Sequence, residues 1–134
     1  FRVTMYDDRA ALAKPERYPS ADEVICGSFA DISARVQLTA DDYVVVMTPG
    51  HQADYEILTQ VLRSEANYIG CIGSRSKVAK TRERLLSDGF DEREIARIHA
   101  PIGLPILAET PEEIAVSVAA EMIEHRARRA GVKK

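Results

Sequence analysis

The sequence has little cysteine, no long apolar run, no surplus of cations and no glycine fingerprint for a dinucleotide, and each absence removes a class of function. Its 134 residues include only two cysteines, Cys26 and Cys71. They lie far apart, each inside an apolar strand-like run. They therefore match neither a zinc site nor a disulfide framework and read as two buried, reduced thiols. No apolar stretch approaches the roughly 18 residues of a membrane span, and no signal-peptide pattern opens the sequence. The expectation is a soluble, cytoplasmic protein with no membrane partner. A formal net charge of −3 argues against a chain built to coat nucleic acid. H-E-x-x-H, an ordered Ser/His/Asp set and paired carboxylates are missing as well, so no catalytic residue and no metal ligand is assigned. The chain opens on Phe1 instead of Met and runs straight into a strand, which reads as a fragment whose beginning lies upstream.

What is present is an alternation. "FRVTMYD" (1–7), "DEVIC" (22–26), "DYVVVMT" (42–48) and "NYIGCIG" (67–73) are short apolar strands, the last two apolar on both faces. Helices covering both sides of a parallel sheet produce that character. Between them lie helical stripes: Phe29, Ile32 and Val36 after a Ser28/Asp31 pair that resembles a capping box, then Ile57, Leu58, Val61 and Leu62, then Val78, Leu85 and Leu86. Thr110, Pro111 and Glu113 mark the start of a last helix carrying Ile114, Val118 and Met122, with Glu124 and Arg128 as a surface pair. A short helix and a short strand near 97–100 fill the less regular stretch 90–107. No repeat, low-complexity segment or linker interrupts the pattern. With 46% hydrophobic residues the chain suits one α/β domain of linked βαβ units.

In such a sheet the carboxyl ends of all strands share one edge, and ligands bind in the crevice beyond it. That edge gathers Asp7, Asp8 and Arg9, then Gly27 and Ser28, "TPGH" at 48–51, "GSR" at 73–75 and "PIG" at 101–103. Ser74 caps a helix whose first turn holds Arg75 and Lys77. Cations there oppose the helix dipole unless an anion lies nearby, so this start reads as an anion site. Lys80, Arg82 and Arg84 read as a solvated face. His51 and Asp54, at i and i+3 on one helical face, could orient an imidazole for acid–base work, or His51 is simply a surface or capping residue at a helix start. Asp7 could bind ribose hydroxyls as the acid ending a second strand, but the G-x-G-x-x-G turn that should precede it is missing. Asp8 and Arg9 could equally form a weak local pair. His99 and His125 read as structural or solvent-exposed. From residues alone, the chain is a module for a phosphate-bearing ligand.

The segments "VTMYDDR", "ERYPSADEV", "VVVMTPGHQADYEIL", "YIGCIGSRSK" and "RIHAPIGLPILAETPEEIAVSVAAEMI", in this order and spacing, carry a further signal. From Phe1 to about Glu124 the chain resembles the C-terminal Rossmann-like domain of the xanthine dehydrogenase accessory protein family (XdhC/CoxI type). The resemblance implies a Rossmann-like three-layer α/β/α fold with a mainly parallel sheet, its first βα unit missing. The domain would span 1–126, followed by a basic, frayed tail at 127–134. It also implies an accessory factor that resembles a chaperone more than an enzyme. Such a factor binds molybdenum cofactor (molybdopterin or its dinucleotide form) while a cysteine desulfurase supplies the terminal sulfur. It then delivers the cofactor to a molybdenum hydroxylase of the xanthine dehydrogenase type, and a homodimer fits this role. Carried over by position, Asp7, Arg9, His51, Asp54, Gly73, Ser74, Arg75 and Gly103 would line the crevice, Ser74 and Arg75 facing a phosphate. Cys71, inside its strand, is not expected to carry sulfur. The family's N-terminal accessory domain and first glycine turn are not in this sequence. The alternatives are a fragment of an NAD(P)-dependent oxidoreductase and an interaction domain that works through dimerisation.

Overall fold

The computed structural model describes Phe1 to Lys133. Its packing divides into two compact units, Phe1–Gln37 and Leu38–Lys134, each taken by itself below.

In the first unit, β1 (Thr4–Asp7) and β2 (Glu23–Cys26) pair in parallel, in register from Thr4 opposite Glu23 to Asp7 opposite Cys26. A 3-10 turn at Phe29–Asp31 leads into the one-turn helix α1 (Ile32–Arg35), and Phe29 and Ile32 are buried as their spacing predicts. Ser28 Oγ accepts from the Ala30 N–H at 3.2 Å, without the reciprocal Asp31 bond of a capping box. A 3-10 start explains the change: the tighter turn brings Ala30, not Asp31, within reach of the hydroxyl. Cys26 corrects the sequence reading. It is an exposed free thiol that closes β2, because a strand end in a two-stranded ribbon has too few neighbours to bury it.

The second unit is built on a three-stranded parallel sheet with β4 (Tyr68–Cys71) between β3 (Tyr43–Val46) and β5 (Ile98–His99). Helix α2 (His51–Val61) links β3 to β4, while α3 (Arg75–Ser87) and α4 (Glu92–Ile95) link β4 to β5. Helix α5 (Pro111–Arg129) ends the order. All four residues of β4 are buried, the signature of a strand covered on both faces. Successive side chains of a strand point to opposite faces, so Tyr68 and Gly70 share one face and Ile69 and Cys71 the other.

On the Tyr68 face sits α5. The Tyr68 hydroxyl donates to Glu121 Oε1 at 2.6 Å, and His99, paired with Gly70 across the sheet, stacks on the Tyr68 ring at 4.6 Å. His125 meets the rings of Tyr68 and His99 edge-on. Both histidines are thus structural. Gly70 leaves this face open: a Cβ there would lie 2.4 Å from Ile102 Cδ1. On the opposite face the α2 stripe of Ile57, Leu58, Val61 and Leu62 is buried, as is Leu85 of α3, whereas Leu86 is exposed and does not belong to the stripe. One step of 100° along a helix is enough to turn Leu86 off the buried face.

The helix ends are satisfied locally. Thr110 and Glu113 form the expected capping box on α5, and Asp91 and Glu94 form a second, unforeseen one on α4. The Arg97 guanidinium donates to the carbonyls of Leu62, Ser64 and Ala66 at 2.9, 3.2 and 2.8 Å, closing the carboxyl end of α2. Helix α5 continues to Arg129, into the stretch expected as a frayed tail, where Arg129 pairs with Asp41 at 3.2 Å; Glu124 and Arg128 pair at 3.6 Å.

Gly103 shows how α5 is seated. Its φ is 102°, and a Cβ there would stand 2.2 Å from Ser117 Oγ and 3.3 Å from the Ser117 carbonyl carbon. Ser117 in turn donates to the Leu104 carbonyl at 2.6 Å. Gly103→Ala is expected to cost about 2–4 kcal/mol, from the left-handed backbone and overpacking together. Urea unfolding measures it, and an unchanged midpoint would contradict the close approach.

Candidate functional site

Where β3 and β4 end, short loops lead into α2 and α3, and a cavity of about 220 Å³ opens between these helices, α4 and the sheet. Cys71 and Ile98 belong to the sheet face that Tyr68 does not share, and they line the cavity with Leu58, Leu85 and Ile95 from the helices. Its polar lining comes from His51 and Asp54 of α2 and from Lys77, Thr81 and Arg82 of α3.

Asp54 is the most buried polar group of this site. It is only 6% exposed, and its Oδ1 accepts from the Thr48 N–H at 2.9 Å and the Thr48 hydroxyl at 2.6 Å. Its own N–H donates to the Gly50 carbonyl at 3.1 Å, so one residue fastens both ends of the "TPGH" turn. Of the two readings of His51, the imidazole oriented by Asp54 is not formed. His51 is an exposed first residue of α2, while the carboxylate turns back to Thr48, whose N–H and hydroxyl offer two donors at once. Among the described residues no cation lies within ion-pair distance of Asp54. Burial, with the Asp54 charge adding to it, pushes the Cys71 thiol up to about 12.

The cations of the cavity are Lys77 and Arg82. Arg82, read from sequence as part of a solvated face, is ion-paired with Glu92 of α4. Arg84 is engaged too, its guanidinium 3.8 Å above the Tyr55 ring and bonded to Gln52 Oε1 at 3.0 Å. The first ties α3 to the helix that follows it, and the second ties α3 back to α2.

The other predicted residues fall as follows. Gly73 lines the cavity. Ser74 caps α3, its Oγ accepting from the Lys77 N–H at 3.4 Å, and Arg75 follows it; both are exposed and neither lines the cavity. Gly103 is a packing glycine against Ser117 and also lies outside the lining. In the first unit, Asp7 pairs with Arg9, and Asp8 is not the partner: Arg9 Nε reaches Oδ1 at 3.0 Å, Nη2 reaches Oδ2 at 2.7 Å, and the Arg9 N–H adds a bond to Oδ1 at 3.0 Å. The side-chain bond from Arg9, with the backbone bond, holds the Asp7 carboxyl down to about 2. The cavity thus brings His51, Asp54 and Gly73 together. Sequence reasoning placed Lys77 with Arg75 at the helix start but missed Thr48 as the Asp54 partner and Arg82 on the cavity wall; the i, i+4, i+5 spacing of Lys77, Thr81 and Arg82 was the available signal.

The XdhC Rossmann domain matches residues 1–122 of the chain. A protein of Bacillus subtilis (strain 168), named as a probable xanthine dehydrogenase subunit, is 36% identical over 128 residues, which is 96% of this chain and 37% of that protein. The uncharacterized protein YqeB of Escherichia coli (strain K12) is 32% identical over 125 residues, 92% of this chain and 23% of its own length. A crystal structure described as a xanthine dehydrogenase from Bacillus halodurans superimposes with a TM-score of 0.82 at 34% identity, covering 98% of this chain and 39% of that one. The chain therefore spans less than two-fifths of each of these relatives.

Each unit gives one testable outcome, the burial of Cys71 in the second and the Asp7–Arg9 pair in the first. Iodoacetamide at pH 8 is expected to label Cys26 and spare Cys71, as read by peptide mass mapping; comparable labelling of both thiols would contradict the burial of Cys71. Because the folded Asp7 value of about 2 lies below the ordinary 3.8, stabilisation by its pair with Arg9 is complete above about pH 4 and is lost as pH falls toward about 2. Arg9→Gln should return the Asp7 carboxyl toward 3.8 in a carbon-detected NMR titration, and an unmoved titration would count against the fork.

Proposed function

The chain belongs to the XdhC Rossmann-domain family, and from that premise we propose that it is an accessory module for a xanthine dehydrogenase-type molybdenum enzyme, holding molybdenum cofactor in the cavity between α2 and α3. In this reading the cofactor is kept for sulfuration by a cysteine desulfurase and then handed to the enzyme in the cytoplasm. The observation that carries the proposal is the lining itself, with aliphatic walls, a cationic α3 side and a carboxylate on α2.

Those residue types suit an anionic pterin. Leu58, Leu85, Ile95 and Ile98 offer faces for a flat ring, and Lys77 offers a compact charge for a phosphate. A volume of about 220 Å³ falls below the roughly 300–1,000 Å³ that encloses a drug-sized ligand, so the cavity would take part of the cofactor and leave the remainder outside. Retention without turnover also agrees with the surroundings of Cys71, whose thiol is raised far from the reactive thiolate. The NAD(P) reading draws less support, since both oxygens of Asp7, its ribose ligand, already accept from Arg9.

The test uses the full-length protein carrying this domain. Purified from cells that make molybdenum cofactor, it should retain a pterin detectable by oxidation to its fluorescent form. Lys77→Ala should lower that retention about tenfold, the loss of one charge-assisted contact of about 1.4 kcal/mol. Arg82→Ala should lower it less, because Glu92 already shares that guanidinium. Absence of pterin from the wild-type protein, or full retention by both variants, would count against the proposal.

A further inference from the structure

Asp54 asks for something that no residue around it supplies. A carboxylate accepts through both oxygens, and a buried one left half-satisfied is costly. Thr48 supplies both of the donors that reach Oδ1. No donor among the described residues reaches Oδ2, nor is that atom among those sealed from solvent without a partner. An oxygen with no protein partner, still accessible, on a residue 6% exposed and lining a cavity, is positioned for a ligand. The Thr48 bonds fix its direction beforehand, so binding has little ordering to oppose it.

The remainder of the lining narrows the chemistry. A simple anion would be repelled by the carboxylate, and a compact metal ion would find no second acid: among the described residues no group of three metal-binding side chains exists. The aliphatic walls call for a flat, apolar-faced body, and Lys77 calls for negative charge elsewhere on the same molecule. We infer that Asp54 reads the donor edge of a planar heterocycle, an N–H beside an exocyclic NH₂, as found in 2-amino-4-oxo pteridines and in guanine. Resting on the cavity assignment above, this makes Asp54 the residue that sets ring specificity, with Lys77 meeting the charge.

The probes are pterin against lumazine, which carries a carbonyl in place of the 2-amino group, and guanosine against inosine, which lacks that group. Binding to the full-length protein is followed by fluorescence or calorimetry. The wild type is expected to prefer the amino member of a pair roughly 10- to 100-fold, the range for losing a hydrogen bond to a buried charge. Whichever pair shows the larger preference identifies a pteridine or a guanine source. Asp54→Asn keeps an oxygen for Thr48 and turns an NH₂ toward the ligand, so the pterin preference should vanish or reverse toward lumazine while the urea midpoint confirms a folded protein. Equal affinity within both pairs, binding of none of the four probes, or a preference unchanged in Asp54→Asn would overturn the inference. The wild-type comparison decides by itself should the variant fail to fold. A donor-edge preference in a protein that retains no molybdenum cofactor would uphold Asp54 and remove the accessory role. Cofactor retention with no such preference would do the reverse.

Discussion

The turn from β3 into α2, and with it the wall of the cavity, is held by the bond between the Asp54 carboxylate and the two donors of Thr48. The turn from β3 into α2 contains Pro49 and Gly50, neither of which offers a side chain to hold it. Asp54 reaches back six residues from inside the helix and fixes that turn from within. The same bond removes the carboxylate from the helix surface and places it on the wall of the cavity. Local structure and the proposed ring recognition therefore rest on one side chain, and a change at Asp54 is expected to act on both.

Burial of β4 supplies the frame around that bond. Because both faces of the strand are covered, its alternation divides the unit into two environments. The Tyr68 face is filled with aromatic and polar groups, Tyr68, His99, His125 and Glu121, that seat α5. The Cys71 face receives aliphatic residues of α2 and α3 and leaves a cavity at its end. One face is structural and hydrogen-bonded; the other is apolar with a few polar groups at its border. The proposed binding site lies on the second, where aliphatic walls accept a foreign ring without displacing hydrogen bonds.

Much of this was legible in the sequence. The strands were recognisable because β-branched and aromatic residues cluster in short runs, and α5 because Thr110, Pro111 and Glu113 mark its start. Membership of the XdhC family rested on several segments in order, and it stands. What stayed hidden were interactions that neither spacing nor periodicity encodes. His51 and Asp54 share a helical face, but Thr48 competes for the carboxylate from outside the helix. Arg75 and Lys77 share a helix start, but only Lys77, with Arg82 further along α3, lines the cavity. Gly103 was read as a crevice glycine, yet its need comes from Ser117, fourteen residues away. Cys26 lies in an apolar run but closes a strand with too few neighbours to bury it.

The most direct test of the account is a crystal structure of the full-length protein with a bound 2-amino-4-oxo pteridine carrying a phosphate. The ring should lie between Leu58 and Ile98, its amino edge within hydrogen-bond distance of Asp54 Oδ2 and its phosphate toward Lys77. A ligand held instead at Ser74 and Arg75, with the cavity left to solvent, would contradict it.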